Sequence, residues 1–253
     1  MGITLSFGIQ KGGAGKTTST CMTSYILSRD YKVLTVDMDS QGNATNILTQ
    51  KDIYQYQDRT VLNAMLERNP EPYIVPVTDT LHVLPADDIL VTLDDHIQIF
   101  TNPSLALQEC LRVIKDNYDF ILIDLPPNLG KLTVNGLAAS DFAVVNLQSE
   151  PLCWKALDRY LELLRLVQER ANPNLKLAGI LLSMQDSRAA IDSSIIDQVR
   201  KDYEDWVFAV TIRRRTRLKE FTLTGITDRT AHDRYALAEY DTFVEELLSR
   251  VSQ

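Results

Sequence analysis

Residues 10–18 read QKGGAGKTT, between an apolar, β-prone run at residues 3–9 and a helical pattern that begins at residue 16. No other feature limits the possible folds so sharply. A glycine-rich turn that leads a strand into a helix gathers several backbone N–H groups around one point, and the helix N-terminus adds its partial positive charge there. Such a turn binds phosphate. Gly12, Gly13, Ala14, Gly15 and Thr18 form its frame. Lys16 is placed to reach the terminal phosphates of a nucleotide, and the Thr17 hydroxyl to bind Mg²⁺.

The rest of the chain alternates strand and helix patterns. Apolar, β-branched runs at residues 3–9, 32–37, 81–84, 120–124, 142–147, 177–183 and 206–211 predict strands. Helical periodicity covers 16–29, 103–116, 154–171, 191–203 and 233–251. This alternation predicts an α/β fold, a mostly parallel twisted sheet with helices on both faces. Residues 50–80 mix prolines and polar residues and give no clear pattern. Without a linker, repeat or low-complexity tract, residues 1–253 read as a single P-loop NTPase domain.

Composition narrows the setting. Apolar residues make up 45% and charged residues 24%, as in ordinary water-soluble domains. No apolar run reaches membrane-spanning length, and the first strand pattern starts too early for a signal peptide. Cys21, Cys110 and Cys153 are scattered and form no CxxC pair, which fits core thiols in a reducing cytoplasm and not an iron–sulfur site. His82, His96 and His232 are isolated and suggest no metal centre. The net charge of −8 opposes non-specific nucleic-acid binding on average. Residues 211–219, TIRRRTRLK, reverse that average with Arg213, Arg214, Arg215, Arg217 and Lys219, five positive charges in nine residues and no acid.

A phosphate cradle needs carboxylates at the C-terminal ends of strands beside the first one. Asp124 ends the strand FILID and is followed by Leu125-Pro126-Pro127, the place of a Walker B acid that holds Mg²⁺ through water. Asp37 and Asp39 follow the strand KVLTVD, and their i, i+2 spacing on extended chain points both to one side.

The turn departs from the usual P-loop pattern: Gln10 stands where glycine is expected, and Lys11 precedes Gly12. One phosphate cradle does not account for two lysines. The run resembles the deviant Walker A motif K-G-G-x-G-K-[ST]-[ST] of the ParA/MinD ATPase superfamily. Residues 37–45, DMDSQGNAT, resemble that family's D-x-D-P-Q-G-N-A-T, with Ser40 in place of proline. Residues 118–136 resemble its Y-D-x-I-x-I-D-x-P-P-S-L-G-x-L-T-x-N-A, with Leu125 for Cys or Thr, Asn128 for Ser and Gly136 for Ala. The likeness continues through residues 148–166 and 179–188 and is greatest to the short, Soj-like ParA proteins.

The resemblance implies an ATPase that uses ATP and Mg²⁺ and cycles between monomer and ATP-sandwich homodimer. Lys11 would cross to the partner's nucleotide, Asp39 would position the attacking water, and Asp37 would lie near the Mg²⁺ shell. Arg188, Arg214 and Arg217 would contact duplex DNA without regard to sequence. The job would be partition of a plasmid or chromosome, with hydrolysis stimulated by a ParB-type centromere-binding protein, in a cytoplasmic protein that joins the nucleoid when ATP-bound. Arg213, Thr222 and Thr227 stand where the family has prolines, so the loop around the base is expected to differ. Three other readings remain. A MinD-like membrane switch is disfavoured because Glu239, Asp241, Glu245 and Glu246 make the last helix's polar face acidic. A metabolic ligase on the same scaffold is opposed by the match at residues 37–45. A switch that positions a protein cargo stays open.

Overall fold

The computed structural model describes residues 2–96, 99–150, 153–185 and 190–252. Arg188 therefore lies outside the described residues. In chain order the elements are β1 (Ile3–Gly8), α1 (Lys16–Leu27), β2 (Val33–Asp37), α2 (Asn43–Thr49), α3 (Val61–Glu67), β3 (Val75–Pro76), β4 (Leu81–Leu84) and α4 (Leu93–His96). They continue with α5 (Ala106–Leu111), β5 (Phe120–Asp124), α6 (Lys131–Ala138), β6 (Phe142–Gln148), α7 (Cys153–Arg170), β7 (Lys176–Gln185), α8 (Ala190–Tyr203), β8 (Val207–Arg213), α9 (Thr216–Thr224) and α10 (Ala231–Val251).

The strands form one sheet in the order β3-β4-β2-β5-β1-β6-β7-β8. Every pairing is parallel except the short antiparallel edge β3–β4. The central strands are apolar on both sides because helices cover both faces. Strand β5 illustrates the consequence. Ile121 and Ile123 join one buried cluster with Leu62, Leu107, Leu137 and Leu157, while Phe120 and Leu122 join the other with Met22, Leu218, Leu237 and Phe243. Side chains alternate between layers with the two-residue period of a strand.

The predicted architecture holds, and its departures are local. Residues 103–116 are not one helix: a 3₁₀ turn at Pro103–Leu105 leads into α5, and a second 3₁₀ turn occupies Lys115–Asn117. The apolar period there reflects burial of Leu107, Cys110, Leu111 and Ile114, which irregular segments satisfy as well as a helix. Residues 50–80 contain α3, whose N-terminus carries a capping box from Thr60 and Asn63. The apolar face of α10 is core: Leu237, Tyr240, Val244, Leu247 and Val251 are all buried. No helix among the described residues is long and apolar enough to cross a membrane. Cys21 and Cys110 are buried free thiols, and burial pushes the Cys110 thiol up to about 12.

Two of the departures from the family pattern explain each other. Gly136 lies within α6, where glycine costs a helix roughly 1 kcal/mol relative to alanine. A Cβ there would lie 2.3 Å from Cδ2 of Leu125, which is fully buried. The larger residue after the Walker B acid thus requires the smaller one on the helix above it. Gly136→Ala should therefore lower the unfolding free energy by about 1–3 kcal/mol through overpacking. Adding Leu125→Thr should recover most of that loss, a coupling that a double-mutant cycle in denaturant would read.

Candidate active site

The turn after β1 is built for close approach. Lys11 N–H closes a tight turn onto the Ile9 carbonyl at 2.9 Å. Gly13 and Gly15 have φ of 76° and 78°, the left-handed region that favours glycine. A Cβ added at Gly12 or Gly13 would meet nothing within 4 Å, so their backbones face open space. Behind the turn, the Ser183 hydroxyl of β7 donates to the Ala14 carbonyl at 2.7 Å. Lys16 is buried, and its Nζ donates to the Lys11 carbonyl at 2.9 Å, so its charge sits inside the loop. Burial lowers its pKa, and Asp124 and Asp39 oppose that shift. The turn borders a cleft of about 670 Å³, which also touches Asp39, Asn43, Met184 and Leu223.

The carboxylates converge because their strands are neighbours. Parallel pairing of β2 with β5 sets Asp37 opposite Asp124. Both are fully buried. Asp124 accepts hydrogen bonds from Thr17 Oγ1 at 2.7 Å and Thr20 Oγ1 at 3.2 Å, which tie the first turns of α1 to the end of β5. Asp37 accepts from the Thr45 amide and hydroxyl, each at 2.8 Å, on one oxygen and from the Asp39 amide at 3.1 Å on the other. Both oxygens of Asp37 therefore face protein donors, and the residue fixes the loop that carries Asp39. Asp39 itself lines the cleft, half-buried.

Burial raises the pKa of both inner carboxyls. Asp37 rises to about 6, against the opposing pull of the Thr45 bonds, and Asp124 to about 8, with Asp37 adding repulsion. These are oxygen donors suited to a hard divalent ion. Among the described residues no group of three or more His, Cys, Asp or Glu could hold a metal by itself. Mg²⁺ takes one or two protein ligands and completes its shell with water and substrate phosphates. Thr17 and Asp124 are the residues that would hold it.

The remaining predicted residues are disposed unequally. The Lys11 ammonium is paired with the Glu150 carboxylate just after β6, a partner with no signal in the sequence. The basic run is largely neutralised. Arg213 and Arg215 both pair with Glu239, at 3.3 and 2.6 Å. Arg217 pairs with Asp233 at 2.7 Å and Glu220 at 2.9 Å and stacks on Phe221, so it fastens α9 to the start of α10. Arg214 and Lys219 are exposed, and neither has an ion pair among the described residues. Sequence reasoning also missed Thr20 and Thr45 as partners of the buried acids. Thr45 could have been found, because it closes the DMDSQGNAT run.

A phosphate-binding turn, a lysine within it and an acid hydrogen-bonded to the following threonine define a P-loop nucleoside triphosphatase. A family model described as an AAA domain matches residues 3–177. The chain is 37% identical over 217 residues to the chromosome partitioning protein ParA of Myxococcus xanthus, covering 83% of this chain and 75% of that one. It is 36% identical over 225 residues to the sporulation initiation inhibitor protein Soj of Bacillus subtilis, covering 87% of each. Among solved structures, cobyrinic acid a,c-diamide synthase from Mycobacterium smegmatis with bound ADP and magnesium is 29% identical, with a TM-score of 0.86 over 100% of this chain and 96% of that one. The chain belongs to the ParA/MinD superfamily of deviant Walker A ATPases, within its Soj-like group of DNA-partition proteins. It is an ATPase whose cofactor is Mg²⁺.

The buried acids set a pH dependence. A carboxyl whose folded pKa lies above its unfolded value of about 3.9 binds more protons in the folded state, so stability falls as pH rises between the two values. For Asp124 that window ends at about 8. Asp124→Asn removes the buried charge but retains an acceptor for Thr17. Thermal melts of the nucleotide-free protein should show this variant gaining stability over wild type near the top of that window. The gain should shrink toward acid pH, while Mg²⁺-dependent turnover is lost. Equal melting curves at every pH would contradict the assignment.

Proposed function

We propose that this ATPase partitions DNA by alternating between a monomer and an ATP-sandwich dimer that binds duplex DNA without sequence preference. The observation that carries the reading is the pair of lysines on one turn. Lys16 is buried within it, whereas Lys11 stands at its outer lip with its side chain one-third exposed. A single nucleotide uses the first; the second, once it leaves Glu150, can serve a neighbour's.

Within one subunit, Gly12, Gly13, Ala14, Gly15, Thr18 and Lys16 bind the phosphates, and Thr17 and Asp124 hold Mg²⁺. When bound there, the ion would supply charge neutralisation at the phosphates. Asp39 lines the cleft and orients water, while Asp37 holds Asp39 in place. A positioned carboxylate suffices, since phosphoryl transfer depends chiefly on orientation and electrostatics. Lys11 completes the partner's site. Arg214, exposed and without an ion pair among the described residues, contacts DNA phosphates, as does Arg188. Arg217 supports the surface through its ion pairs. A ParB-type partner accelerates hydrolysis and releases the dimer. The cycle runs in the cytoplasm, on the nucleoid in the ATP state.

Binding to unrelated duplex DNA with ATP, with ADP and without nucleotide, across a salt series, tests this reading. Binding that requires ATP and weakens steeply with salt supports it; dimerisation with no DNA binding at any salt overturns the DNA assignment. Arg214→Ala should weaken binding equally for all sequences. It should flatten the log–log salt slope by about two for a dimer that loses two phosphate contacts. Lys16→Ala should abolish ATP binding. Asp39→Ala should bind ATP and accumulate as dimer with turnover lost; normal turnover would remove Asp39 from the mechanism.

A further inference from the structure

Lys11 is held twice. Its carbonyl accepts Lys16 Nζ at 2.9 Å, and its ammonium donates to Glu150. Glu150 is itself fixed. Its amide turns back onto the Gln148 carbonyl at 2.8 Å, and its second carboxylate oxygen accepts the Gln148 side-chain amide at 2.5 Å. Gln148 is buried at the end of β6, which pairs with β1, the strand that launches the turn. A short chain of contacts thus runs from the sheet through Gln148 and Glu150 to the side chain of Lys11.

On the sandwich-dimer reading above, we infer that Glu150 is a positioning residue that holds Lys11 on its own subunit until the dimer forms. The reasoning is competitive. Lys11 has one ammonium group, and Glu150 and a phosphate of the partner's nucleotide both require it. For Lys11 to cross, the pair with Glu150 must break. Glu150 is the restraint on the side chain of Lys11 and sets how readily the dimer forms.

The restraint is breakable. The side chains of Lys11 and Glu150 are 32% and 46% exposed. An ion pair this open shifts an equilibrium by a factor of about two to five. Two such pairs break per dimer, so removing both should tighten dimerisation by about 4- to 25-fold.

Sedimentation velocity of the full chain with saturating ATP and Mg²⁺, in an Asp39→Ala background that does not turn over, measures the dimer dissociation constant. Glu150→Gln should lower that constant within the stated range. Gln148→Ala, which removes the prop from Glu150, should lower it less. Thermal melts of the nucleotide-free variants should match the parent, because a half-exposed pair adds little to folding. A constant that is unchanged or raised in Glu150→Gln, with the fold intact, would overturn the restraint. Failure of the parent itself to dimerise with ATP would instead overturn the sandwich-dimer reading on which the restraint rests.

Discussion

Asp37 and Asp124 face each other across the pairing of β2 with β5, at the C-terminal edge of the sheet and out of contact with water. Burying two carboxyls side by side is unfavourable unless each finds donors or keeps a proton. The surrounding residues follow from that constraint. Thr45 and the Asp39 amide satisfy Asp37, and this pins the loop that delivers Asp39 to the cleft. Thr17 and Thr20 satisfy Asp124, and this pins the first turns of α1, whose N-terminus closes the phosphate-binding turn. The arrangement that makes the acids tolerable also makes the cleft.

The same economy of partners governs the lysines and arginines. Lys16 and Lys11 are both engaged by acceptors within their own subunit, so nucleotide binding exchanges contacts and does not create them from nothing. In the basic run, a linear cluster of like charge is not a surface cluster. Glu239 and Asp233, on α10, pair with three of its arginines. The segment also links β8 to α9, whose Thr222 and Leu223 line the cleft. One helix thus connects the exposed Arg214 to the rim of the site.

Much of this was legible in the sequence because the strongest signals are local. The turn at residues 10–18, the apolar strand FILID ending in Asp124, and the doubled acids after KVLTVD each declare themselves within ten residues. Short helices did not. Neither α2 nor α3 exceeds seven residues, too few for a helical period to stand out from noise. The break in residues 103–116 was hidden because burial, not helicity, spaces the apolar residues there. Long-range pairs were silent in a single chain: Glu150 with Lys11, Glu239 with Arg215, and the fit of Gly136 against Leu125 depend on residues separated by anything from 11 to 139 positions.

On the proposed function, nucleotide entry turns Asp124, a carboxyl that burial pushes up to about 8, into a metal-holding carboxylate. Calorimetric titration of Mg²⁺–ATP into the protein at about pH 7, in buffers of different ionisation enthalpy, tests it directly, because ligands that must be deprotonated release protons on binding. The account predicts net proton release that falls substantially in Asp124→Asn. Tight Mg²⁺–ATP binding with no proton release in the wild-type protein would contradict it.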